Sequence, residues 1–105
     1  MRLRELEGAL AAFAVLSPHA FPLHHAQLLL VVAREGPCTY QALMDALALT
    51  NGTISRAVAA LGTEHWRGYP GHGLLEAYRD PGEGRRFLVR LTTKGRALVR
   101  QLEGI

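Results

Sequence analysis

Apolar residues recur along this chain at helical spacing in five stretches and alternate like a strand in one, which lays out an order of elements before anything else is considered. Near the start, Leu3, Leu6, Leu10 and Phe13 step by three or four residues, so residues 2–16 form a helix with one apolar stripe, widened by Ala9, Ala11, Ala12, Ala14 and Val15. Such a surface must be covered, by the rest of the domain or by a second copy of the chain, and the stripe suits a seam between two helices. Ser17-Pro18-His19-Ala20-Phe21-Pro22 breaks that helix, because a proline disfavours helical geometry in the residue before it. A second helix from about Pro22 to Glu35 is apolar nearly all round, through Leu23, Ala26, Leu28, Leu29, Leu30, Val31 and Val32, and is expected to form the centre of the core. Gly36-Pro37 ends it.

Thr39 then caps a third helix on which Tyr40, Leu43, Met44 and Leu47 share one face, with Cys38 and Leu43 spaced like a hydrophobic staple. This helix ends near Leu49, and after a tight turn Thr50 is the N-cap of the next. There Ile54, Val58 and Leu61 fall at i, i+4 and i+7 and face inward, which leaves Asn51, Gly52, Ser55, Arg56 and Ala59 for the other side. That second face is short, polar and singly cationic, so another surface can approach the helix backbone and meet donors and acceptors. Two short helices joined by a tight turn make a helix-turn-helix.

Residues 62–72 read as an inserted loop whose Trp66 and Tyr69 are expected to tuck against the domain. Beyond it, Leu74–Arg79 and Arg86–Leu91 flank the turn residues Asp80-Pro81-Gly82-Glu83-Gly84-Arg85, giving a β-hairpin over residues 73–92 with Arg85 and Arg86 at or near its tip. In its second strand Phe87, Val89 and Leu91 alternate with Leu88 and Arg90, as in a half-buried strand. A last helix, residues 93–103, starts after Thr92 and turns Leu98, Val99 and Leu102 inward. The expected fold class is mostly α with a small β-hairpin (α+β), a winged helix-turn-helix, in one domain of residues 1–105.

Composition adds a direction to this picture. The net charge is only +3, but residues 1–49 carry three arginines against four carboxylates while residues 50–105 carry nine cations against five. The positive field lies on the half that holds the polar-faced helix, where a polyanion is drawn. Cys38 is the only cysteine, which excludes an intramolecular disulfide. No signal peptide or membrane span is legible, so a cytoplasmic location is expected.

Three stretches make the chain resemble the MarR family of bacterial transcriptional regulators over roughly residues 22–100. They are Thr50–Leu61, Gly73-Leu74-Leu75-Glu76 leading to the Asp80–Arg86 turn, and Val89-Arg90-Leu91-Thr92-Thr93-Lys94-Gly95-Arg96. The resemblance implies a winged-helix homodimer that places a recognition helix of each subunit in the DNA major groove and a wing arginine in or beside the minor groove. Three features depart from the family's pattern. Gly84 stands where a second wing acid usually orients an arginine, residues 62–72 lengthen the path from recognition helix to wing, and the terminal helices are short. The last makes a small-molecule effector a weaker expectation than DNA.

On such a fold Asn51, Ser55 and Arg56 reach base edges or phosphates, Thr50 and Thr53 support them, and Gly52 leaves the first turn slim. Arg85 and Arg86 are the wing cations for a phosphate or the minor groove, and Lys94 is a candidate phosphate clamp. The alternative for each is an ordinary solvated face. Five histidines (His19, His24, His25, His65 and His72) lack metal-ligand spacing, and neither a metal nor another cofactor is expected. Cys38 reads as a half-buried thiol at a helix start before it reads as a redox sensor. The catalytic signatures G-x-S-x-G, the P-loop and H-E-x-x-H are absent, so a double-stranded-DNA-binding regulator, most simply a repressor, is expected rather than an enzyme. The rival is a protein-interaction module that keeps the fold and engages a partner through its apolar first helix or the 62–72 loop.

Overall fold

Leu28, Leu29 and Val32 lose essentially all contact with solvent, and the helix that carries them, α2 (Leu23–Glu35), is the post on which the other elements pack. The computed structural model describes residues 1–17, 20–65 and 67–105. In chain order α1 (Leu3–Ala14) and α2 are followed by β1 (Cys38–Thr39), α3 (Tyr40–Leu47), α4 (Asn51–Leu61), β2 (Leu75–Arg79), β3 (Phe87–Leu91) and α5 (Thr93–Glu103). Leu43 from α3, Ile54, Ala57, Val58 and Leu61 from α4, Leu74, Leu75 and Val89 from the sheet region, and Phe13 and Leu98 from the two terminal helices close one core around α2. Each fully buried leucine or isoleucine there contributes about 1.5–3 kcal/mol of burial. Among the described residues no helix is long and apolar enough to cross a membrane.

The capping threonines work as their positions suggest. Thr39 Oγ1 accepts from the Ala42 amide at 3.0 Å, Thr50 Oγ1 from Thr53 at 3.3 Å and Thr92 Oγ1 from Gly95 at 3.0 Å, so each supplies one of the partners a helix start lacks. The turn between α3 and α4 is made by Ala48 in the left-handed region, φ 55°, a conformation that costs a non-glycine residue about 1 kcal/mol. Neighbouring Leu49 packs against the core.

The sheet has three strands, not the two of a bare hairpin. Its order is β1-β3-β2, all antiparallel, with Cys38 opposite Val89 and Leu75 opposite Leu91. The two-residue β1 carries too little pattern to be read as a strand, and it places Cys38 in the sheet as well as in the staple position before α3. Cys38 is buried, its thiol donates to the Gly36 carbonyl at 3.1 Å, and burial, reinforced by the Glu35 charge, pushes its pKa up. A protonated, buried thiol is a packing residue. Phe87 also departs from the alternating pattern. It is 41% exposed beneath the Arg79 guanidinium, 5.1 Å from the ring centre, because the strand end at the turn has left the core.

Residues 62–72 are pinned to the end of α4 rather than projecting from it. The amides of His72, Gly73 and Leu74 donate to the carbonyls of Ala60, Gly62 and Leu61, and Glu64 pairs with Pro70 as a small bridge. Gly71 lies so close to the Gly62, Ala59 and Ala60 carbonyls that a side chain there has no room. Tyr69 does not tuck against the domain: it is 51% exposed and stacks on His65 instead, ring centres 4.2 Å apart. Trp66, expected to tuck beside it, and His19 lie outside the described residues.

The α1 stripe is divided. Phe13 enters the core and stacks on Phe21 at 5.6 Å, while Leu3, Leu6 and Leu10 stay 85%, 43% and 48% exposed. Leu23 and Leu30 of α2 are exposed as well.

Candidate nucleic-acid interface

Helix α4 presents the two faces its sequence requires. Ile54, Ala57, Val58 and Leu61 are buried, whereas Asn51, Gly52, Ser55 and Arg56 are exposed and Thr53 is half-buried. The Thr50 hydroxyl also lies 3.0 Å from that of Thr53, so both threonines are engaged in fixing the first turn. The Arg56 guanidinium folds back along its own helix towards Gly52, with Nη1 3.3 Å from where a Cβ would stand on that residue. A cation therefore lies over the amide-rich start of a helix, a site already favourable to anions. Asn51, Gly52, Ser55 and Arg56 are left uncovered by the described residues of the 62–72 loop and by the sheet.

At the other end, the turn of residues 80–86 is closed by Asp80. Its Oδ2 accepts from Arg86 Nε at 2.8 Å and its Oδ1 from the Gly82 amide at 2.8 Å, while the backbone bonds Asp80 to Arg86 and Glu83 to Asp80 complete the turn. The Arg86 hydrogen bond, with that from the Gly82 amide, holds the Asp80 carboxyl below the usual carboxylate range. Arg79 Nη1 donates to the Gly84 carbonyl at 2.8 Å. Asp80 thus orients Arg86 from across the turn, and Arg79 braces Gly84 itself. Arg85 is exposed beside this frame and forms no ion pair among the described residues.

The sheet beneath is stiffened on its outer face. Glu76 and Arg90 face each other across β2 and β3 at 2.6 Å, and the Arg90 guanidinium lies 4.0 Å from the centre of the Tyr78 ring. Lys94, the candidate phosphate clamp, is exposed at the start of α5. Its Nζ donates to the His72 carbonyl at 2.8 Å, so it ties the start of α5 to the end of the 62–72 loop.

Sequence reasoning missed the histidines as a group because they are distant in the chain. His24 and His25 of α2 meet His72 and His65 from the loop, with the Phe21 ring between: Phe21 to His25 is 5.9 Å edge-on and to His72 5.6 Å. Burial first, then His24, His72 and His65, push the His25 pKa down to about 4. Burial, followed by Lys94 and His65, lowers that of His72. Among the described residues no group of three or more histidines, cysteines and carboxylates has the geometry to hold a metal ion.

The winged helix DNA-binding domain family matches residues 23–95, which spans α2 through the first turn of α5. The chain belongs to that family. Its fold recurs in solved bacterial regulators. MarR of E. coli, as a cysteine-to-serine mutant complexed with operator DNA, is 22% identical with a TM-score of 0.69, covering 94% of this chain and 65% of its own. PcaV of Streptomyces coelicolor, in complex with its natural ligand, is 29% identical with a TM-score of 0.63, covering 95% of this chain and 66% of its own. BpsR of Bordetella bronchiseptica, whose DNA binding is regulated by 6-hydroxynicotinic acid, is 24% identical with a TM-score of 0.66, covering 96% of this chain and 67% of its own. The chain thus spans about two thirds of the length of each. No curated protein matches the sequence. The MarR-like winged helix expected from the motifs is the fold the chain adopts, with one strand more than the motifs disclose.

Proposed function

We propose that this winged helix regulates transcription by binding double-stranded DNA as a homodimer, with the exposed α4 face in the major groove and the wing beside the minor groove. The observation that carries this reading is the exposed set Asn51, Gly52, Ser55 and Arg56 on a well-capped helix of a winged helix DNA-binding domain. Asn51 and Arg56 are base-reading side chains by type, and Arg85 and Arg86 are wing cations suited to a narrow groove. Two such helices about one turn of duplex apart imply a pseudo-palindromic operator, which the dimer occupies as a repressor. Selection of bound duplexes from a random pool tests the reading, with variants alongside. Arg56→Ala is expected to weaken binding roughly tenfold and relax base preference, whereas Arg85→Ala/Arg86→Ala weakens all duplexes alike by a similar factor and flattens the salt dependence. A parent chain that retards no duplex at any salt concentration refutes the proposal.

The dimer rests on α1, where Leu3, Leu6 and Leu10 are exposed in a row with Leu30 of α2 nearby. An open apolar groove between α1, α2 and α5, lined by Phe13, Leu30, Val31 and Leu102 among others, adds to the exposed apolar area, and we assign its cover to the second copy rather than to an effector. Leu6→Glu/Leu10→Glu is expected to turn a dimer into a folded monomer in light scattering, with DNA affinity falling at least tenfold as paired half-site binding is lost. The same exposed leucines favour the second reading, an adaptor that engages another protein. A parent chain that is monomeric at micromolar concentration decides for the adaptor.

A further inference from the structure

Beside α4 runs a groove whose walls come from three separate parts of the chain, and it rests on the DNA-binding reading above. Thr53 and Arg56 of α4 form one wall, His24 and His25 at the start of α2 another, and His65 and Arg67 of the 62–72 loop the third, with Tyr69 at its edge. Among the described residues that line it, none is acidic. Two arginines bring positive charge to the channel and no carboxylate offsets it among the described lining residues, while one wall is the flank of the helix assigned to the major groove.

We propose that this groove seats the DNA backbone next to each half-site, so that the 62–72 loop and the start of α2 form a third contact beyond the recognition helix and wing. The loop has the form this requires. Its backbone ladder to the end of α4 and the Lys94 bond to the His72 carbonyl hold it at a fixed position against the recognition helix. The His65 ring is stacked on Tyr69, and its Nδ1 accepts from the Arg67 amide at 3.1 Å, which fixes the loop tip that bears Arg67. A major-groove helix is flanked on both sides by phosphates, and a channel along that helix that carries Arg56 and Arg67 matches a strand of them in sign.

Phosphate contacts carry affinity and salt dependence but no base information, which makes the test specific. A labelled duplex of about 30 bp recovered by selection, and a scrambled duplex of the same length, are titrated by fluorescence anisotropy from low to moderate salt with the full chain. For His24→Gln/Arg67→Gln the expected result is about fivefold to tenfold weaker binding to both duplexes. The log–log salt slope is shallower by about one unit, and the ratio between the two duplexes is unchanged. Arg100→Gln removes an exposed charge in the last turn of α5, away from this groove, and is expected to change affinity less than twofold. Arg67→Glu, at an exposed loop position, replaces the double variant if that one melts early. A groove variant that binds like the parent with the same slope overturns the inference while leaving the proposed function standing. So does a variant whose loss is matched by Arg100→Gln, or a groove that perturbs with millimolar inorganic phosphate but not with duplex. A parent chain that binds no duplex overturns both.

Discussion

Replacing Gly95 by alanine is expected to destabilise the fold by about 3 kcal/mol, the upper end of what overpacking a tight site costs. Gly95 is buried near the start of α5, and a Cβ built there falls well inside contact with the Leu74 carbonyl oxygen, with Leu91 Cδ2 3.3 Å away on the other side. The carbonyl has no freedom to yield, because it already accepts from the Thr92 amide at 3.0 Å while the Thr92 hydroxyl donates to the Gly73 carbonyl at 2.6 Å. Alanine elsewhere in a helix is worth up to about 1 kcal/mol over glycine, so the contact must overcome a favourable propensity term, and backbone against side chain decides that it does. Urea and thermal unfolding followed by circular dichroism measure the effect. A melting temperature lower by roughly 10–20 °C is expected for a chain of this size, against little change for Gln101→Ala on the exposed side of the same helix. A Gly95→Ala chain as stable as its parent removes the packing account.

That glycine also marks the limit of what could be read from residues alone. The Leu-Thr-x-x-Gly run is legible as a family signature, but its cause, a helix that must approach the Leu74 carbonyl, exists only once sheet and helix are together. Local signals read true: the threonines at 39, 50 and 92 cap amides three residues on, the inward set Ile54, Val58 and Leu61 follows the period of a single helix, and the hairpin strands adjoin one turn, Asp80–Arg86. What the residues did not show is non-local. The strand Cys38–Thr39 exists because β3 offers it an edge, Tyr69 turns outward because His65 gives it a stacking partner, and Asp80 takes over the orienting role missing at Gly84 because the turn brings it to Arg86. For the candidate interface, the exposed α4 face was legible by periodicity, while the His24, His25, His65 and Arg67 groove was not, since no spacing rule joins α2 to a loop beyond α4.

Mild acid should cost the fold about 2 kcal/mol, and His25 carries most of it. In the folded chain its imidazole titrates at about 4, against about 6.5 for an exposed histidine. As pH falls below about 6.5 the unfolded chain takes up this proton and the native chain does not, so stability is complete above that value, declines through the interval down to about 4 and levels off once both states are protonated. The whole displacement corresponds to roughly 3 kcal/mol, reduced here because the ring is only half-buried and solvent screens part of the interaction. His72, lowered by burial and by Lys94, acts in the same direction. Asp80, held low by Arg86, adds its loss only at still lower pH. The groups facing His25, namely His24, His65 and His72 with Arg56 and Arg67 along the same groove, include no carboxylate among the described residues to neutralise the added charge. Urea unfolding at pH 7.5, 6.5, 5.5 and 4.5 measures the decline, and His25→Gln is expected to flatten it by more than half. A parent chain equally stable at pH 7.5 and 4.5, or a His25→Gln chain with an unaltered profile, contradicts the assignment. The same imidazole lines the channel beside Arg56, so the group that limits the fold in acid adjoins the surface proposed to hold DNA.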